Sequence, residues 1–237
     1  MKPEKITISN NKKEKLVGYF YKNTSRTLMI LCHGAESFKD YPGIEGVFEF
    51  YYSTGVSVFA FDFSGHGGSE GEKFISFKQR DADIKTVLDY FSSEYKDIIL
   101  YGASLAGVSV AIAAGKYKEI TKLVTVNGLF VFNSLRMYPR LVFIILSYLI
   151  SHPRFWKELY FAMNNLKIQK IKIPSLVIYG EKDKVVSPKQ SINFYNKLDT
   201  RKKLFAFSNG DHALMKKEYL KDAEPVLEWI KQQIVYK

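Results

Sequence analysis

Residues 101–107 read Tyr-Gly-Ala-Ser-Leu-Ala-Gly, a stretch with a serine among small residues. It follows the apolar run of residues 98–101, which has the character of a strand, and it opens a segment of small residues suited to a helix. A serine in this context, with small residues two positions away on either side, is the pattern of a nucleophile elbow. Gly102 fills the first small position, and Ala106 replaces the second glycine. The motif alone is moderately specific, and an ordinary strand–helix turn at Ser104 is the alternative.

Short apolar runs and longer stretches with helical spacing alternate on both sides of this motif. Continuous apolarity is typical of strands that helices cover on both faces, as in a parallel sheet. At the beginning of the chain, Ile6–Ile8 and Leu16–Tyr21 instead flank the turn-prone pair Asn10-Asn11 and predict an antiparallel hairpin. The sequence therefore predicts an α/β fold with this hairpin, a mostly parallel sheet and helices on both faces. The other predicted strands are Leu28–Cys32, Ser57–Phe61, Ile98–Tyr101, Lys122–Val126, Leu176–Tyr179 and Leu204–Phe207; the predicted helices are Asp83–Tyr95, Ser104–Tyr117, Gln190–Leu198 and Tyr219–Ile234.

One segment, at about residues 128–170, is much longer than a single crossover helix and is rich in large apolar residues. Such an insertion above a sheet predicts a helical lid or an acyl pocket. Within it, Phe130, Met137, Tyr138 and Trp156 are candidates for substrate binding. Extra core helices are at least as good an interpretation for each of these residues, and both interpretations can hold at once.

A serine hydroxyl needs a base to take its proton before it becomes a good nucleophile. His212, one of four histidines, stands in the loop after the last predicted strand, and Asp183 follows the strand before it. In a parallel sheet, both positions lie beyond the carboxyl ends of strands, where binding crevices form. The order serine, aspartate, histidine along the chain is also the order expected for this fold. We therefore predict that Ser104 is the nucleophile, His212 the base and Asp183 the acid that orients the base.

Two backbone N–H groups are predicted to bind an oxyanion formed in the reaction. One belongs to Leu105, which directly follows the nucleophile at the start of a helix. The other belongs to Ala35, in the loop after the strand Leu28–Cys32. His33, in the same loop, is interpreted as a residue that orders the backbone rather than as the catalytic base.

Five motifs in a fixed order give the chain a resemblance to a known family. The motifs are His33-Gly34, residues 61–71, the elbow at residues 101–107, Gly180-Glu181-Lys182-Asp183 and Gly210-Asp211-His212. They resemble those of α/β-hydrolases, and residues 61–71 resemble the branch of feruloyl and cinnamoyl esterases, monoacylglycerol lipases and related carboxylesterases. The resemblance covers nearly the whole chain outside the lid segment. It implies a serine esterase that uses no metal and no organic cofactor.

The resemblance also implies structural roles for Asp62 and His66, whose hydrogen bonds are expected to fix the shape of their loop. The chain departs from the family pattern at Ala106 and in the aromatic-rich lid, so the resemblance does not identify the acyl group.

The predicted function is hydrolysis of small to medium hydrophobic esters, acyl or aryl, through an acyl-enzyme. An acyltransferase or a perhydrolase would use the same three side chains with a different acceptor. A binding protein that keeps the fold without turnover is a third alternative. An aspartate-nucleophile hydrolase is disfavoured because Ser104 occupies the elbow.

Composition excludes several other classes. A length of 237 residues, 46% hydrophobic and 25% charged, predicts one globular domain, residues 1–237, rather than a disordered chain. The net charge of +11 is spread along the chain without a nucleic-acid motif, so it predicts a solvated basic surface and no nucleic-acid partner. The single cysteine, Cys32, lies in an apolar run and is predicted to be a buried, inert thiol.

Location is predicted from the N-terminus and from the longest apolar run. Residues 1–10 lack the apolar region of a signal peptide, which favours the cytoplasm. Residues 141–150 are too short for a bilayer span of roughly 20 residues, so no integral membrane segment is predicted. Peripheral contact with lipid stays open, as does the oligomeric state.

Overall fold

A computed structural model of the chain describes residues 3–35, 44–130, 146–214 and 221–233. The strands are β1 (Glu4–Ser9), β2 (Lys15–Tyr21), β3 (Thr27–Cys32), β4 (Ser57–Phe61), β5 (Asp97–Ala103), β6 (Ile120–Val126), β7 (Ser175–Gly180) and β8 (Lys202–Phe207). They form one sheet in the order β1-β2-β4-β3-β5-β6-β7-β8. β2 pairs antiparallel with both β1 and β4, and all other pairings are parallel. The predicted hairpin and the predicted parallel sheet are therefore confirmed.

Helices cover both faces of this sheet. They are α1 (Ile44–Tyr52), α2 (Phe77–Phe91), α3 (Ala106–Ala114), α4 (Phe155–Asn165), α5 (Pro188–Lys197) and α6 (Glu224–Gln233), with a 3₁₀ turn at Ile168–Lys170; residues 146–151 are also helical. Apolar side chains of α2, α3 and α5 form one core with the sheet. Those of α1 and α6 form a second core with its opposite face.

Strand β3 shows why five successive residues of a central strand, Leu28–Cys32, are apolar. All six of its residues are buried. Leu28, Ile30 and Cys32 enter the core beneath α2 and α3, whereas Met29 and Leu31 enter the core beneath α1 and α6. Successive side chains of a strand point to opposite faces, so both sets must be apolar. Burial also raises the pKa of the Cys32 thiol, in agreement with the predicted inert cysteine.

Helix boundaries differ from the predictions more than strand boundaries do. α2 begins at Phe77 rather than Asp83, because the Ser76 hydroxyl accepts a hydrogen bond from the Gln79 N–H at 3.0 Å and caps the helix there. Helix α1 has no counterpart among the predicted helices. The last helix begins at Glu224 rather than Tyr219, and residues 219, 220 and 234 lie outside the described residues.

Most of the described residues of the insertion, 146–151 and 155–165, are helical. Phe155, Leu159 and Ala162 of α4 are buried in a third apolar cluster, which also contains Leu105 and Val108 beside the elbow. α4 therefore packs beside the elbow that carries Ser104. No helix within the described ranges is long and apolar enough to cross a bilayer.

Candidate active site

Three parallel strands deliver the predicted nucleophile, acid and base to one edge of the sheet. Ser104 follows β5, Asp183 follows β7 and His212 follows β8. The Ser104 Oγ lies 3.0 Å from the His212 Nε2, and the His212 Nδ1 lies 2.7 Å from the Asp183 Oδ2. The structure thus brings the three side chains into one hydrogen-bonded chain, at distances suited to proton transfer.

Ser104 stands in a strained turn, as an elbow requires. Its φ of 51° lies in the left-handed region, which costs a non-glycine residue roughly 1–2 kcal/mol. Main-chain hydrogen bonds hold this conformation: the Ser104 N–H donates to the Val126 carbonyl, and the Ser104 carbonyl accepts from the N–H groups of Gly107 and Leu129, each at 2.9 Å. The surrounding strands and helix α3 therefore fix the position of the hydroxyl before any substrate arrives.

Asp183 is 1% exposed, yet its carboxylate is fully engaged. Oδ1 accepts hydrogen bonds from the backbone N–H groups of Val185 at 2.7 Å and Val186 at 2.9 Å. Oδ2 accepts from His212. Because Nδ1 of His212 donates to this oxygen, the neutral ring keeps Nε2 free to accept a proton from Ser104. The local turn therefore orients the Asp183 carboxylate, and the carboxylate selects the tautomer of His212.

Close approach of two loops explains the glycines in the Asp183 and His212 motifs. A Cβ built on Gly180 would lie 2.3 Å from the Gly210 carbonyl oxygen. The Lys182 N–H also donates to that oxygen at 2.9 Å. Any side chain at Gly180 would force the two loops apart and would separate Asp183 from His212.

Asn127, which sequence reasoning missed, ties the same loops together from the end of β6. Its side-chain amide donates to the carbonyl groups of Asp211 and His212, each at 3.1 Å, and its amide oxygen accepts from the Gly180 N–H at 2.9 Å. Asn127 also has a φ of 48°, a conformation that asparagine adopts more readily than most residues. The Asn-Gly pair directly after a predicted strand was the available signal.

The loop of the predicted oxyanion donor lies against Ser104. A Cβ on Gly34 would lie 3.1 Å from the Ser104 Cβ and 3.6 Å from its Oγ, so a side chain at this position would crowd Ser104. The His33 Nε2 accepts from the Phe63 N–H at 3.0 Å, which places the proton of a neutral ring on Nδ1, 3.2 Å from the Gly34 carbonyl oxygen. Both ring nitrogens thus contact backbone, in agreement with a loop-ordering role for His33.

The loop of residues 62–71 is held by the hydrogen bonds expected of Asp62 and His66. The Asp62 Oδ2 accepts from the Gly68 N–H at 3.0 Å, and its carbonyl accepts from the Ser69 hydroxyl at 2.5 Å. The His66 Nδ1 lies 3.0 Å from the Ser64 carbonyl oxygen. Burial lowers the pKa of His66, and the charge of Arg80 lowers it further. Neither side chain contacts Ser104 among the described contacts.

Two of the four lid candidates, Phe130 and Trp156, are among the described residues. Phe130 is buried and stacks on Phe194 of α5 with ring centroids 3.9 Å apart. These contacts are those of a core residue. Trp156 is 62% exposed on α4. Met137 and Tyr138 lie outside the described residues. A role in substrate binding stays a prediction for all four.

Comparison with known proteins assigns the chain to a family. The model of the family Hydrolase_4, described as serine aminopeptidase, S33, matches residues 23–165 and 150–218. The chain belongs to this family. As a Hydrolase_4 member it is a hydrolase. It is also 29% identical over 217 residues to a Saccharomyces cerevisiae protein described as an uncharacterized membrane protein, an alignment that covers 88% of this chain and 73% of the relative.

Solved structures share the fold of this Hydrolase_4 member. The Pyrococcus furiosus esterase Pf2001 matches with a TM-score of 0.79 at 22% identity, over 99% of this chain and 92% of that one. Est1E from Butyrivibrio proteoclasticus, solved with ferulic acid bound, matches with a TM-score of 0.73 at 20% identity, over 96% of this chain and 98% of that one. At these identities the likeness shows the α/β-hydrolase fold alone.

Proposed function

We propose that this hydrolase is a serine carboxylesterase that cleaves small to medium hydrophobic esters, acyl or aryl, through an acyl-enzyme. The observation that carries the proposal is the hydrogen-bonded chain from the Ser104 Oγ through His212 to Asp183. Similarity in fold to an esterase and to a ferulic acid complex supports ester over other substrates.

In the first half of the reaction, the Ser104 oxygen attacks the ester carbonyl carbon while its proton passes to the His212 Nε2. The carbonyl π bond opens, and the resulting oxyanion accepts hydrogen bonds from the N–H groups of Ala35 and Leu105. Asp183 keeps its charge and stabilises the imidazolium through Oδ2. The tetrahedral intermediate then collapses, the C–O bond to the alcohol breaks, and the alcohol leaves with the proton from Nε2.

In the second half, water takes the place of the alcohol. His212 accepts a proton from the water as its oxygen attacks the acyl carbon. Collapse of the second intermediate returns the proton to the Ser104 oxygen and releases the acid. An acyltransferase or a perhydrolase would differ only here, because an alcohol or peroxide would replace water as the acceptor.

The test compares Ser104→Ala with Ser109→Ala, a matched control in the helix that follows the elbow. Ser109 is buried in α3, and its hydroxyl has no hydrogen-bond partner in the described part of the chain, so its loss should be silent. Ser104→Ala should lower kcat for p-nitrophenyl butyrate by roughly 10⁴–10⁶-fold and abolish labelling by a fluorophosphonate probe. Parental turnover by Ser104→Ala would refute the proposal. Faster cleavage of an aminoacyl p-nitroanilide than of any ester would favour a peptidase.

A lipid surface is a second element of the proposal, supported by the exposed face of the insertion. Trp156, Tyr160 and Met163 on α4 are between 52% and 72% exposed, and Leu146 and Ile150 before α4 are 49% and 81% exposed. Residues 146–170 carry four basic residues and one acidic residue. Exposed aromatic residues beside basic charge suit the headgroup region of an anionic bilayer.

This contact predicts co-sedimentation with vesicles of phosphatidylglycerol at low salt but not with vesicles of phosphatidylcholine. The double substitution Trp156→Ser and Tyr160→Ser should abolish the binding. Tyr90→Ser, at a 51% exposed position on α2, is the matched control and should not change it. Equal binding of the parent, the double variant and Tyr90→Ser would contradict the lipid contact. A dimer in which Trp156 is protected from fluorescence quenchers would contradict it as well.

The remaining assignments are proposals drawn from the sequence. We propose a single hydrolase domain with the insertion of about residues 128–170 beside its active site. A cytoplasmic location is proposed because a chain with one buried cysteine needs no oxidising compartment.

A further inference from the structure

Arg80 is a charged side chain that is buried with no carboxylate in contact with it among the described residues. It is 2% exposed, in the first turns of α2, and among the described residues no carboxylate oxygen lies within 4.0 Å of its guanidinium. Burying an unpaired charge is costly, so arginine is rarely kept at such a position without a specific use.

The guanidinium instead donates hydrogen bonds to the backbone of the loop after β3. Its Nη2 donates to the Gly34 carbonyl at 2.7 Å, and its Nη1 donates to the His33 carbonyl at 3.3 Å. The central guanidinium carbon, Cζ, lies 4.5 Å from the centroid of the Phe63 ring, in a cation–π contact. Burial lowers the pKa of Arg80 to about 10, which leaves the group charged at neutral pH. The two hydrogen bonds from Arg80 to the His33 and Gly34 carbonyl groups are therefore charge-assisted, and such bonds are stronger than those between neutral groups.

The direction of these bonds determines where the next amide points. In a trans peptide unit the C=O and the following N–H point in opposite directions. A guanidinium that holds the Gly34 oxygen therefore turns the Ala35 N–H away from Arg80. Gly34 itself contacts Ser104, since its missing Cβ would lie 3.1 Å from the Ser104 Cβ. The peptide unit fixed by Arg80 is thus the one that lies against the nucleophile.

We propose that Arg80 is a positioning residue for the oxyanion hole: its guanidinium holds the peptide between Gly34 and Ala35 so that the Ala35 N–H faces the transition-state oxygen. The proposal rests on the esterase function argued above. Donors that are already oriented need no reorganisation when charge develops on the substrate. Polarisation of the Gly34 carbonyl by the charge also makes the Ala35 N–H a better donor.

The test replaces Arg80 with Met, which keeps length and removes both charge and donors, and with Lys, which keeps the charge. Val87→Ala is the matched control, because it weakens the packing of the same helix at a buried site away from the loop. Rates are expressed per active site after titration with a fluorophosphonate. Affinity is measured for a trifluoromethyl ketone, which forms an oxyanion on the serine, and for the corresponding methyl carbinol, which does not.

For Arg80→Met, kcat for p-nitrophenyl butyrate should fall about 10- to 100-fold with little change in KM, a smaller loss than that from removing an oxyanion donor outright. The inhibition constant of the trifluoromethyl ketone should rise by the same factor, whereas that of the carbinol should not change. Arg80→Lys should lie between parent and Arg80→Met. If Arg80→Met does not fold, the same ratio of inhibition constants is read from Arg80→Lys.

Parental kcat and ketone affinity per active site in Arg80→Met, or an equal loss in Val87→Ala, would overturn the proposal. A parent enzyme that neither labels with the probe nor hydrolyses esters would instead refute the proposed function. The two failures are therefore distinguishable.

Discussion

The loop after β3 and the loop after β8 leave the same edge of the sheet, and each carries a histidine. His33 is 3% exposed and uses both ring nitrogens on the backbone, toward the Phe63 N–H and the Gly34 carbonyl. The side chain of His212 is 26% exposed, and its ring links a buried carboxylate to a serine hydroxyl. A position after a parallel strand is therefore not enough for proton transfer: the partners of its two ring nitrogens decide whether an imidazole can accept a proton.

The largest effect expected from this comparison is on activity at His212. His212→Ala should reduce kcat/KM by roughly 10⁴–10⁶-fold, because the Ser104 hydroxyl loses its base. The midpoint of thermal unfolding should fall by only a few degrees, because the space left by the partly exposed ring admits water, which can donate to the Asp183 Oδ2 in place of Nδ1. Ester hydrolysis and thermal unfolding of the same preparation measure both quantities. A variant that keeps more than a tenth of the parental rate would show that another group is the base.

For His33→Ala we expect the opposite result: a clear loss of stability and only a small loss of activity. His33→Ala removes the acceptor of the buried Phe63 N–H and a donor to the Gly34 carbonyl, and an unsatisfied buried group costs about 1–3 kcal/mol. The unfolding midpoint should therefore fall by roughly 2–4 °C for each kcal/mol lost. Activity per folded molecule should fall only about 10-fold, through the altered position of the Ala35 N–H.

Urea denaturation and active-site titration separate these two effects. If His33→Ala were as inactive as His212→Ala while keeping parental stability, the assignment of the two rings would have to be exchanged.

The sequence identified residues whose position follows from a strand end and a short motif. Ser104 could be placed because Gly102 and Ala106 flank it between a strand and a helix. Asp183 and His212 could be placed because parallel strands end at one edge. Their hydrogen-bonded arrangement was a prediction from this topology, and the distances in the structure agree with it.

Residues whose role depends on a distant loop could not be found in this way. Arg80 stands between Gln79 and Asp81, so its surroundings in sequence resemble an exposed helix face. Its burial depends on the His33 and Gly34 carbonyl groups, which lie 47 and 46 positions away. The start of α2, in contrast, can be predicted from local sequence. Ser76 followed three residues later by Gln79 is a capping pattern.

The smallest effect concerns His66, whose ring lies 5.2 Å from that of His33. Burial, followed by the charge of Arg80, holds the pKa of His66 below its usual value. Because its folded-state pKa is depressed, the neutral ring contributes stability that is fully present above the unfolded pKa of about 6.5 and is lost as pH falls through the folded pKa. His66→Gln should remove this dependence. The unfolding free energy of the parent should therefore decline more steeply than that of the variant between pH 7.5 and 5.5. Parallel declines in urea titrations at these pH values would mean that the ring is protonated as easily in the folded chain as in the unfolded one, and that its contact with the Ser64 carbonyl offsets its burial.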